Sequence, residues 1–192
     1  MHIKNRLKAD KIPQLWVICV VLIYSFLMAE FFNTLNSKLF YAQPNFSPNT
    51  IISYIMTFNY VLMIIMSFVI WIITSFLFHL FATLLSGNAQ FEDFQKLTGL
   101  SYLISAIFFL IAIFMVEGVE ITQSDISNNI ETNQTLTIIG WLMNIAGFVY
   151  YLLVIPIIKY LYQINWLKSI GVIAIPMGSI FLLGQFFAKF IF

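Results

Sequence analysis

Apolar residues fall in long, nearly unbroken blocks along this chain, and polar residues gather between the blocks. About 20 consecutive apolar residues cross a bilayer as a helix. The blocks predict five spans, at 12–32, 60–85, 97–116, 136–158 and 167–190. The fold class is therefore all-α: a polytopic membrane helical bundle of five transmembrane helices, forming one membrane domain over 1–192. The second block is too long for one crossing. Residues 51–85 would reach about 52 Å if wholly helical. Thr57 and Asn59 interrupt its apolarity, so 51–58 is expected in the interface or outside, with the span nearer 60–85. Segment 33–50 holds two prolines and several turn formers, and segment 117–135 is polar and acidic; both read as loops. No internal repeat emerges.

Composition agrees with this pattern. The chain is 61% hydrophobic, 18% aromatic and 9% charged. A soluble domain carries about 25% charged residues, so there is too little polar surface here to cover a globule in water. The net charge of +1 implies no nucleic-acid or polyanion partner. The lone cysteine, Cys19, excludes an internal disulfide framework and reads as a small buried residue. The first apolar block is longer than a signal-peptide core and ends in Glu30-Phe31-Phe32, so it reads as an uncleaved helix.

The nine basic residues matter by position. Lys4, Arg6, Lys8, Lys11, Lys96, Lys159 and Lys168 fall on one side of a five-span bundle, against Lys38 and Lys189 on the other. Positive residues favour the cytoplasm. This places the N-terminus in the cytoplasm and the C-terminus outside, with the lipid bilayer as the protein's first partner.

Membrane helices associate through small and polar residues, because lipid already satisfies the apolar ones. Such positions recur on each later span: Ser67, Thr74, Ser75, His79, Thr83 and Ser86; then Thr98, Ser101, Ser105 and Ala112; then Gly140, Asn144 and Gly147; then Gly171, Ala174, Gly178 and Gln185. Each series predicts a packing face. Pro156 and Pro176 sit inside the last two spans, where proline can kink a helix. No charge lies deep in a span: Glu30 is near the outer end of the first and can reach the interface. That argues against an ion-coupled pump. His79 is the one ionisable group well inside a span, and it is expected neutral, bonded to Thr83 or to a hydroxyl on the third span.

Catalytic motifs are missing. There is no nucleophile elbow, zinc-protease pair or phosphate loop. Glu117, Glu120 and Asp125 lack a glycine-shaped loop and read as solvated acids. No metal and no cofactor is expected, and the protein does not read as an enzyme. Asn133-Gln134-Thr135 matches a glycosylation sequon, which has no meaning in a bacterium.

The break after the second span carries the most information. Gly87 is placed to end that helix, and Asn88 to cap the next. Glu92 and Asp93 then lie in a first turn, where the helix dipole favours acids. Glu92 and Lys96 form an i,i+4 pair, and Phe91, Phe94 and Leu97 form an apolar stripe. The segment reads as a tight hairpin whose second arm starts amphipathic. Together with His79, and with the run through Leu100-Ser101-Tyr102, it resembles the YIP (Ypt-interacting protein) domain family in its bacterial branch. Ser86 stands where that family usually has a second glycine, and no proline follows Tyr102.

The resemblance implies a five-span, non-enzymatic protein of a bacterial plasma membrane that acts through other proteins. The turn region makes His79, Gly87, Phe91, Phe94 and Tyr102 candidate packing or docking positions, and the small/polar face of the fourth span adds Asn144. The resemblance implies a membrane-protein partner, with an ABC-type exporter as one candidate for which this chain is an accessory or scaffold subunit. The small-GTPase role of eukaryotic relatives is not expected, because their long proline-bearing tail has no counterpart here. Two further readings remain: a transporter or channel for a small or lipidic solute, and a self-protection protein whose acidic loop meets a membrane-active peptide.

Overall fold

The computed structural model describes residues 9–43, 50–122 and 134–191. Asp125, the sequon's Asn133 and the basic residues Lys4, Arg6 and Lys8 lie outside the described residues. A short 3-10 helix, Ala9–Lys11, leads into five α-helices: α1 (Gln14–Tyr41), α2 (Thr50–Leu84), α3 (Phe91–Glu117), α4 (Gln134–Tyr162) and α5 (Trp166–Ile191). There is no strand among the described residues. The first four helices are long and apolar enough to cross a membrane, while the apolar stretch described in α5 is shorter, Trp166–Leu182.

The α3 helix is the centre of the bundle. Half of its most apolar stretch is buried, against 22–33% for α1, α2 and α4. Its buried positions Gly99, Tyr102, Ala106, Phe109, Ile113 and Val116 step by three and four residues. That is the spacing of a knobs-into-holes seam. Ring pairs fix how α1 meets it: Tyr24 lies 4.6 Å from Tyr102, and Phe31 lies 5.6 Å from Phe109. Each step of seven on α1 matches a step of seven on α3, so the two helices run parallel and in register. A second face of α3 buries Thr98, Ser101, Ser105 and Ala112, the small and polar series read from the sequence. On α4, Tyr150 stacks 4.7 Å from Tyr102.

Lys38 locks the far end of the α1–α3 pair. Its Nζ donates to Glu117 O at 2.7 Å and to Val119 O at 2.6 Å. A cation there meets carbonyls that have no partner within the helix, at the negative end of the helix dipole. Replacing Lys38 with methionine keeps much of the apolar stem and removes the charge. The expected result is a loss of about 1 kcal/mol of stability, read as earlier unfolding of the purified protein in mild detergent.

Three expectations change. Residues 33–41 are not loop: α1 runs nine residues past Phe32, because nothing in Asn33–Tyr41 breaks a helix and Lys38 has a tertiary anchor. Residues 51–58 are helical and continue α2, with the Thr57 hydroxyl satisfied on Ser53 O four residues back; a helix there is compatible with the interfacial position expected. Cys19 is exposed rather than buried. In a span the solvent is lipid, which accepts a thiol without protein cover. The glycines of α4 do not pack inward, and on α5 Gly171 packs beside Leu85 while Gly178 does not. A Cβ built on Gly140, Gly147 or Gly178 would meet nothing within 4 Å.

Candidate functional site

The α2–α3 turn is held by contacts from three helices. At its start, Gly87 N donates to Ala82 O at 2.9 Å and Ser86 N to Thr83 O at 3.0 Å. These two bonds are a Schellman cap. The left-handed residue is Ser86, with φ 70°, and not Gly87 as its position implied. Gly87 is needed for a different reason. A Cβ there would lie 2.7 Å from Ala82 O and 2.8 Å from Tyr162 Cβ. The turn therefore sits directly on the end of α4. Asn88 N donates to Tyr162 O, so Asn88 joins the turn to α4 through its backbone. The residue preceding α3 is Gln90, with no side-chain cap bond, and Asn88 does not cap the helix. The pair Glu92–Lys96 forms as read, at 2.6 Å.

Tyr162 organises this end. Its side chain is 1% exposed. Its hydroxyl lies 2.5 Å from His79 Nδ1, and its ring lies 5.4 Å from that of Phe94. His79 in turn has its ring 5.3 Å from Phe91. So the histidine's partner is neither Thr83 nor a hydroxyl on α3. Thr83 bonds Leu80 O within its own helix, and Thr98, on α3, is paired with Ser75 at 3.1 Å. A second tie comes from α5. Lys168 Nζ donates to Leu85 O at 2.9 Å, a cation on the carbonyl end of α2. Asn165 caps α5 by accepting from Lys168 N at 2.8 Å.

The structure thus gathers His79, Gly87, Phe91 and Phe94 around one tyrosine. Tyr102 lies elsewhere on α3, between Tyr24 and Tyr150. Asn144 stands apart again. It is exposed near the middle of α4, one turn from Gly140 on one side and from Gly147 on the other. Its amide has no hydrogen bond among the described residues. Two important residues were not singled out from the sequence. Tyr162 falls outside the predicted fourth span, at a point where nothing distinguishes it from other interfacial tyrosines. Gly99 was hidden among the polar positions around it.

The turn end is a packed joint. Among the described residues, no group of three or more His, Cys, Asp or Glu is placed to hold a metal. Long apolar helices around an aromatic core define a multi-pass α-helical membrane protein. The family model of the Yip1 domain matches residues 4–188. The chain belongs to the Yip1 domain family. No curated protein and no solved structure matches it.

Proposed function

We propose that the protein is a non-enzymatic scaffold or accessory subunit that binds another membrane protein through the outward face of α4. The observation that carries this reading is Asn144 between Gly140 and Gly147. The two glycines leave open space where a neighbouring backbone can approach. Between them stands an amide with both donors and acceptors, facing lipid that offers neither. Close approach and interhelical hydrogen bonding are the forces that join helices in a bilayer. The joint at the α2–α3 turn then has a supporting role: it holds α4 rigidly against the rest of the bundle. Membership of the Yip1 domain family is consistent with a role exercised through partners. Among those, an ABC-type exporter is the first candidate.

The test is affinity purification of the full chain at native level in a mild detergent, followed by mass spectrometry. The expected result is a stoichiometric membrane-protein partner whose retention falls about three- to tenfold in Asn144→Leu. Thr83→Ala, also on the surface, should retain it. A solitary protein, or a partner indifferent to Asn144, would refute the reading.

A further inference from the structure

The two ends of the bundle offer a lipid different chemistry. At the end away from the α2–α3 turn, α1 and α2 part around a cleft of about 190 Å³ with no charged side chain in its lining. Lys38, at that end, is spent on the carbonyls that follow α3. Nothing there attracts a charged headgroup.

The end that carries the α2–α3 turn has a cation left over. Lys96 is paired with Glu92, and Lys168 donates to Leu85 O. Lys159, in the last turn of α4, makes no hydrogen bond or ion pair among the described residues. It is held instead by rings. Its Nζ lies 4.1 Å from the centroid of Trp166 and 4.7 Å from that of Tyr160. The two rings stand edge to face, 6.3 Å apart. Trp166 opens α5, so the ammonium is fixed across the α4–α5 turn. That turn is itself anchored, by buried Ile164 and by Asn165 capping α5. A ring face attracts a cation but accepts no N–H bond of normal strength. The three donors of the ammonium therefore remain available to an anion.

The surroundings place that anion in lipid. Tyr160 and Trp166 are about half exposed, and Leu167 beside them is 79% exposed. Exposed tyrosine and tryptophan at a span end sit at headgroup level, and a bare leucine one residue into α5 suits an acyl chain. Basic side chains between helix ends at this level suit acidic headgroups. A choline headgroup could otherwise use such rings, but the chain's own cation already covers them. We infer that Lys159, clamped by Tyr160 and Trp166, binds the phosphate of an anionic phospholipid of the phosphatidylglycerol class.

Native mass spectrometry of the full chain in mild detergent tests this. The protein is titrated separately with phosphatidylglycerol, phosphatidylcholine and soluble glycerol phosphate. Phosphatidylglycerol should bind about fivefold more tightly than phosphatidylcholine, and glycerol phosphate should give no adduct at the same concentration. Lys159→Met should remove most of the preference. Trp166→Leu keeps the charge and loses the larger ring, and should lower the preference about two- to threefold. Lys11→Met, at an exposed lysine outside the ring clamp, should leave it intact. Both clamp positions are at least partly exposed, and unchanged unfolding midpoints would confirm that the variants fold. Equal binding of the two lipids overturns the proposal. So does a loss in Lys11→Met as large as in Lys159→Met, which would mean general attraction to a positive surface. A preference untouched by Trp166→Leu, or glycerol phosphate binding as well as the lipid, overturns it too.

Discussion

Replacing Tyr162 with alanine is expected to cost about 3–5 kcal/mol of stability, the range for truncating a fully buried aromatic ring. The ring is the largest fully buried side chain among the described residues. It fills the space between His79, Phe94 and the α2–α3 turn, so its removal leaves a cavity where three helices meet. It also leaves His79 without its hydroxyl partner. Tyr162→Phe separates these contributions, because it keeps the ring and loses only the bond. Its expected cost is about 1 kcal/mol. Unfolding midpoints of both variants in mild detergent check the prediction. Equal losses would mean that the hydrogen bond, and not the packing, holds the joint.

Gly99→Ala is expected to destabilise the protein by about 1–3 kcal/mol through overpacking. The added Cβ would lie 2.3 Å from Val17 Cγ1 and 3.0 Å from Trp71 Cζ2. Both neighbours are buried, at 0% and 3% exposure, so neither has room to withdraw. Val17 is β-branched and stiff about its first side-chain torsion. The effect should be relieved in the double variant Val17→Ala/Gly99→Ala, giving a positive coupling in a double-mutant cycle. Gly140→Ala is the internal contrast. No atom lies near its Cβ, and alanine favours a helix over glycine by about 1 kcal/mol. It should be neutral or stabilising.

The contrast between these glycines shows where reading the chain succeeds. Residue type and spacing mark a glycine as small, and lipid makes small residues useful at helix contacts. Gly99 and Gly140 meet that description equally. What separates them is which neighbour stands opposite, and that depends on how α3 and α4 are rotated in the bundle. The same holds for His79. Its need for a hydrogen-bond partner was legible, but the partner comes from Tyr162, 83 residues away. Glu30 was recognised as an acid near the outer end of the first span. The end of α1 was misplaced, because it was put where the apolar residues thin out. Helix ends follow backbone satisfaction: α1 runs nine residues past Phe32, where Lys38 reaches the end of α3.

The sequence by itself determined that the chain is a bundle of apolar helices in a membrane, that α2 and α3 are joined by a tight turn, and which family the turn resembles. These are local and compositional properties: a run of apolar residues must avoid water, and a turn former must interrupt it. Only the tertiary structure decided that α3 is the centre, that Tyr162 locks the turn, that Asn144 faces outward, and that a cleft opens between α1 and α2. Lipid and protein interior are both apolar, so hydrophobicity cannot tell a buried face from a lipid-facing one. That choice is made by shape, ring against glycine and cation against carbonyl, once the helices have met.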